Sequence, residues 1–225
     1  MWAVYKKELK SYLLTPIGYV FISIFMVIFS LYFLNLFLGS ITNFEYLLYE
    51  VAGILIFITP VLTMRMFSEE RKNGTEQLLL TSPRSITSIV LGKFFAAGTI
   101  IVITELLTLV YYAILTFFGE PSLKLAIASL VGFLLLALSY ISFGMFISSI
   151  TESQIIAFIL TIGGFIVMWF LPYFNEMFLN FSLINMFDKI PQGIIYIPSF
   201  VLFFSFSILF ILLTIIVLQR RKSVK

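Results

Sequence analysis

TMRMFSEERKNGTEQLLLTSPRSITSIVLGK, residues 63–93, is a charged, turn-rich stretch set between two long apolar runs. It carries five of the chain's fourteen Lys and Arg (Arg65, Arg71, Lys72, Arg84, Lys93) together with three carboxylates (Glu69, Glu70, Glu76). The flanking runs are too long for buried core helices and lack the alternation of membrane strands, so they read as membrane-spanning helices joined by a solvated loop. The rest of the chain has the same apolar character. With 61% hydrophobic, 18% aromatic and 11% charged residues and a mean hydropathy of +1.11, it has too little polar surface to coat a water-soluble globule. The expected fold is an all-α integral membrane protein with one domain over residues 1–225.

Six runs reach spanning length: 17–38, 46–64, 94–117, 125–147, 155–174 and 194–218. Three lysines precede the first (Lys6, Lys7, Lys10), five cations lie in the 63–93 loop, and four follow the last (Arg220, Arg221, Lys222, Lys225). Twelve of the fourteen cations thus fall on one side of a six-span protein, leaving Lys124 and Lys189 on the other. The positive-inside bias makes that cationic side cytoplasmic, with both termini there. The loop between the fourth and fifth spans fits less well, since it carries Glu152 and no cation. The first apolar run is longer than a signal-peptide core and has no small-residue cleavage site after it, so it is expected to be a retained span.

Residues 2–14 place Trp2, Tyr5, Leu9, Tyr12 and Leu13 on one helical stripe beside Lys6, Lys7 and Lys10, the pattern of a helix lying in the membrane interface. A flexible basic leader is the plainer alternative. Pro16 and Gly18 then turn the chain into the bilayer. On the far side, residues 172–198 are too aromatic for a solvated loop and too broken by Asn, Asp and Pro for a span. Short re-entrant or interfacial helices tucked against the bundle reconcile these facts, with a surface loop as the alternative.

Within the 63–93 loop, Ser68 or Thr75 is a candidate helix cap, Gly74 a breaker, and Ser82-Pro83 a second helix start. Leu78, Leu79 and Leu80 would be costly to leave in water, at about 1.5–3 kcal/mol each. Either the bilayer surface or a partner protein must cover them.

The chain contains no Cys and no His, which removes thiolate and imidazole metal sites and the commonest acid-base and nucleophilic groups. One acidic residue, Glu105, falls near the middle of the third span, where it costs about 2.5–3.5 kcal/mol on insertion scales and should face protein or a wet cavity. Thr108 and Tyr112 share its face as candidate hydrogen-bond donors. Glu105 is either a translocation-cavity residue or a hydrogen-bonded packing residue. Gly132, Gly144, Ser148, Gly163 and Gly164 are expected to let helices approach closely.

Residues 60–93, PVLTMRMFSEERKNGTEQLLLTSPRSITSIVLGK, closely resemble the segment that type-2 ABC exporter permeases carry between their second and third spans. KKELKSYLLTPIGYVF (6–21) and SYISFGMFISSITESQIIAF (139–158) resemble the same family. The nearest subgroup in appearance is the gliding-motility-type permease, with the nitrous-oxide-reductase maturation permease a near relative.

The resemblance implies an elbow helix at 2–14 and a cytoplasmic coupling loop at 65–93 that docks on a separate ATPase. That contact would involve Phe67, Ser68, Glu69, Glu70, Arg71, Gly74, Thr75, Glu76, Leu78, Leu79, Leu80 and Pro83. A second, smaller contact would involve Ser149, Thr151, Glu152 and Gln154. It also implies a second permease copy or a related permease, room for an accessory membrane protein, and ATP with magnesium held by the partner rather than by this chain. No Gly-x-x-x-x-Gly-Lys-Ser/Thr loop is present, and Gly92-Lys93 is followed by Phe94. Nothing in the charge pattern calls for nucleic acid. A nucleotide-independent channel or secondary transporter, or a membrane scaffold, are the rival readings; the first leaves the 63–93 loop unexplained, and the scaffold is compatible with the sequence alone.

Overall fold

The computed structural model describes residues 1–39, 43–81, 84–174, 179, 182–193 and 196–223, with the side chains at 79 and 80 outside that description. Every element among these residues is helical. In chain order they are α1 (Trp2–Leu14), α2 (Pro16–Leu38), α3 (Phe44–Ala52), α4 (Leu55–Thr63), α5 (Ser68–Lys72), α6 (Glu76–Leu80), α7 (Ile86–Leu115), α8 (Leu123–Ile150), α9 (Gln154–Phe174), α10 (Leu183–Phe187) and α11 (Ile197–Ser223). Five of them, α2, α7, α8, α9 and α11, are each long and apolar enough to cross a membrane.

The sixth crossing is not the continuous helix expected over 46–64. It is the pair α3 and α4, bent by 65°. The break falls at Gly53 and Ile54, and a Cβ on Gly53 would meet nothing within 4 Å. Packing therefore does not demand glycine there, and its effect is to weaken the helix locally. Pro60 inside α4 removes a further backbone donor, and the Thr59 hydroxyl donates back to the Leu55 carbonyl at 2.6 Å, a contact that favours bending.

The two ends of the bundle follow from contacts. At one end, Lys93 near the start of α7 bonds Glu8 of α1 and Glu70 of α5. Arg71 of α5 pairs with Glu152 between α8 and α9, and Arg221 of α11 pairs with Glu76 of α6. The four segments rich in Lys and Arg or facing them therefore meet, including the α8–α9 turn that carries no cation. At the far end Phe37 of α2 meets Phe118 beyond α7, and Phe44 of α3 meets Tyr112, with ring centroids 4.9 and 5.5 Å apart. The chain leaves the cationic end on α2 and is back there at the end of α4, so α3 and α4 together make one crossing.

Buried α2 residues recur every fourth position, Phe21, Phe25, Phe29 and Phe33, and this seam packs on Phe44, Tyr111 and Phe133. Lipid is as apolar as phenylalanine, so such contacts hold helices together by close packing rather than by exclusion of water. Small residues set the crossings. A Cβ on Gly144 of α8 would lie 2.2 Å from the Thr63 hydroxyl of α4, and one on Gly92 of α7 would lie 2.9 Å from Val4 of α1.

In α1, Tyr12 is buried, Tyr5, Leu9 and Leu13 are half-buried, and Trp2 and the three lysines are exposed. The expected stripe is therefore a packing face against the bundle, with Trp2 left outside it. Helix α10 and its flank lie inward as expected of a tucked segment, burying Leu183, Met186, Phe187 and Ile190; residues 175–178, 180–181 and 194–195 lie outside the described residues. Pro172 lies inside α9 instead of opening the outer segment.

Candidate functional site

The cationic end is built on one serine. Where α4 stops and α5 begins, neither Ser68 nor Thr75 caps a helix: the Ser68 hydroxyl donates back to the Met64 carbonyl and the Thr75 hydroxyl to the Glu70 carbonyl. The Ser148 hydroxyl of α8 does the capping instead. It accepts from the Phe67 and Ser68 amides at 3.0 and 3.2 Å and donates to the Met64 carbonyl at 3.1 Å. Open amides at a helix start need such partners. The chain then leaves α5 through Asn73 and Gly74, whose φ of +70° is the left-handed cap geometry that glycine adopts without strain. Gly74 is the breaker expected from sequence. Helix α7 starts later than Ser82-Pro83 indicates, at Ile86 with Ser85 as its cap; Ser82 and Pro83 themselves lie outside the described residues.

Beside this turn sits a buried ion triad. Lys93, whose side chain is 3% exposed, lies 3.1 Å from Glu8 and 2.9 Å from Glu70, with its ammonium 5.2 Å from the centre of the Phe67 ring. A buried cation is tolerable only when paired and hydrogen-bonded, and here the pairing ties α1, α5 and α7 together. Tyr12 adds a buried tie, its hydroxyl donating to the Leu62 carbonyl at 3.0 Å. Burial pushes the Tyr12 phenol well above its ordinary value, so it stays a neutral donor.

Outside the triad runs a second, more exposed network. Arg71 reaches Glu152 at 2.7 Å, the Ile150 carbonyl at 3.1 Å and Glu76 at 3.9 Å. Arg221 holds the other oxygen of Glu76 at 2.9 Å. These side chains, with Gly74, Gln77 and Arg220, line a cleft of about 470 Å³. Helix α6 is thereby anchored through Glu76 while Leu78 stands 74% exposed.

The residues expected to meet a partner divide in two. Gly74, Thr75, Leu78 and Glu152 are exposed, and Glu69, Glu70, Arg71, Glu76 and Gln154 are partly so. Phe67, Ser68, Ser149 and Thr151 are buried, and the Ser149 and Thr151 hydroxyls are spent on Phe146 and Ile147 carbonyls of their own helix. These four hold the frame and do not present a surface. Pro83 and the side chains of Leu79 and Leu80 lie outside the described residues. From sequence Ser148 reads as a small packing residue at the head of the turn that the resemblance makes a second contact, not as a cap; a serine in the last turn of a span, opposite a charged loop, is the available signal.

Residues 35–216 match the family described as ABC-2 family transporter protein. The chain belongs to this family. It is a multi-pass membrane protein and a permease component of an ABC transporter, in a family that transports without an ATPase of its own. The match takes in α3 to α10 and most of α11, and leaves α1 and most of α2 outside it. No curated protein matches the chain.

Within the permease, Glu105 is 8% exposed and its Oε1 is buried without a partner among the described residues. It lines a small groove of about 180 Å³ between α7 and α8 with Val102, Leu106, Leu109, Leu130 and Leu134. Thr108 and Tyr112 do not serve it as expected. The Thr108 hydroxyl donates to the Glu105 backbone carbonyl at 2.7 Å, and the Tyr112 hydroxyl to the Pro121 carbonyl at 3.3 Å. Both hydroxyls take the nearest backbone acceptor, so the carboxyl faces an apolar groove alone.

Proposed function

We propose that this permease is one half of the pathway of an ATP-driven exporter in a bacterial-type plasma membrane, with its cationic end in the cytoplasm. The positive-inside bias supports that orientation, since twelve of fourteen cations belong to the segments at that end. The observation that carries the reading is α6, anchored through Glu76 yet presenting Leu78 away from the protein. Covering one such leucine is worth about 1.5–3 kcal/mol. A groove on a separate ABC ATPase is the cover that fits this family.

In this reading the ATPase subunits hold ATP and magnesium, and two permease copies, or one with a related permease, complete the assembly; an accessory membrane protein is compatible with it. Closure of the ATPases displaces α6. Glu76 passes that displacement to Arg71 and Arg221, and Arg71 passes it to Glu152, so α5, the α8–α9 turn and α11 move as one body. The bundle responds only if its contacts differ between the two states. Glu105 is the polar contact of the pathway.

The test is copurification with the cognate ATPase. Changing Leu78, Leu79 and Leu80 to Asp abolishes the complex; an ATPase that still binds overturns the coupling role. Glu105→Gln leaves that complex intact and alters transport, and unchanged transport removes Glu105 from the pathway.

A further inference from the structure

At the far end, a cleft of about 420 Å³ opens between α3 and the turn after α10, walled by Tyr46 and Tyr49 and rimmed by Asn43, Pro191 and Gln192. Glu45 forms part of its lining. That side chain belongs to a residue only 5% exposed, and its Oε2 is shut off without a donor among the described residues. Glu45 lies in the first turn of α3, where a carboxylate is favoured by the helix dipole. The dipole accounts for a negative charge there but not for burying it unpaired, which is expensive.

Among the described residues no cation lies within ion-pair distance of Glu45. Glu45, Glu120 and Asp188 form no ion pair among the described residues, in contrast to the carboxylates of the cationic end. Lys189 is turned away, its ammonium 4.1 Å from the centre of the Tyr196 ring and 4.0 Å from the Met186 sulfur. No group of three His, Cys, Asp or Glu side chains occurs among the described residues. Tyr46 and Tyr49 line the cleft beside Glu45, with Asp188 close to Tyr49, and aromatic rings among carboxylates favour an organic cation. With Oε2 shut off, only one oxygen remains to meet it, which suits a compact ammonium and not the two-pronged guanidinium.

We propose that this cleft binds a primary ammonium group, with Glu45 as its anion and Tyr46 and Tyr49 as its walls. The same chemistry reaches the far end from two sources, an ethanolamine lipid headgroup or a soluble amine. The site is independent of ATPase docking.

The experiment uses the full chain in phosphatidylcholine nanodiscs, titrated with ethanolamine hydrochloride, choline chloride or sodium chloride at matched ionic strength while thermal unfolding is followed. Ethanolamine gives a saturable rise in Tm; choline, with no N–H to donate, and sodium do not. Glu45→Gln weakens the ethanolamine response by about tenfold or more. Equal shifts from all three salts, or an unchanged titration of Glu45→Gln, overturn the proposal. Should Glu45→Gln fail to fold, Gln192→Trp at the exposed rim must abolish the ethanolamine shift, and an unaltered shift overturns the proposal equally. Replacing half the lipid with phosphatidylethanolamine assigns the source. A raised Tm that soluble ethanolamine no longer increases identifies the lipid headgroup; no lipid effect with the ethanolamine shift retained identifies a soluble amine.

Discussion

The two ends of this permease handle charge in opposite ways. At the cationic end Glu8, Glu69, Glu70, Glu76 and Glu152 each lie within ion-pair distance of a Lys or Arg, and the innermost cation, Lys93, is almost wholly buried. At the far end Glu45 is buried and Asp188 half-buried, and among the described residues neither lies within ion-pair distance of a cation, while Lys189 sits on an aromatic ring. An end whose carboxylates each lie beside a cation can move as a solid piece. In the proposed reading the contrast separates the part that receives force from an ATPase from the part that binds an ammonium group.

The contrast is broken most directly at Lys93. Lys93→Met leaves two partly buried carboxylates facing each other without their shared cation and costs about 3 kcal/mol, read as a large fall in Tm; a loss no greater than that of Glu120→Gln would erase the difference between the ends. Ser148→Ala leaves the Phe67 and Ser68 amides without their acceptor and costs about 1–3 kcal/mol, detectable as faster amide exchange at Phe67 and Ser68.

Arg71→Ala acts on partly exposed pairs and costs about 1 kcal/mol or less. It nevertheless reduces stimulation of the bound ATPase, because the link from α6 to Glu152 is cut. The smallest effect sharpens the other side of the comparison. Burial raises the Asp188 carboxyl to about 6, above its unfolded value, so its contribution is fully present below about pH 4 and is lost as pH rises through about 6. Thermal stability therefore falls modestly from pH 5 to pH 7, and Asp188→Asn flattens that slope.

Hydropathy and the placement of Lys and Arg made the six crossings, the shared end of both termini and the helix around Leu78 legible, since each is written in neighbouring residues. Gly74 was legible for the same reason. The bend at Gly53 was not, because the run around it stays apolar and one glycine barely interrupts it. The true cap of α5 was hidden too: Ser148 lies about eighty positions from the amides it serves, and no local pattern announces such a partner. Glu45 falls just outside the 46–64 run, and nothing in its neighbours announces that its carboxyl is buried. Thr108 and Tyr112 share a face with Glu105 as the spacing predicts, yet their hydroxyls found backbone acceptors first.

Ser148 also sets a rule of chemical valence. A hydroxyl offers one proton and two lone pairs, and here the proton goes to Met64 and the lone pairs to Phe67 and Ser68. Nothing is left over for water or ligand. Alanine and valine therefore fail at this position whatever their size, and threonine succeeds only if its extra methyl finds room. The identity of this residue is fixed by a count of protons and lone pairs rather than by volume or hydrophobicity.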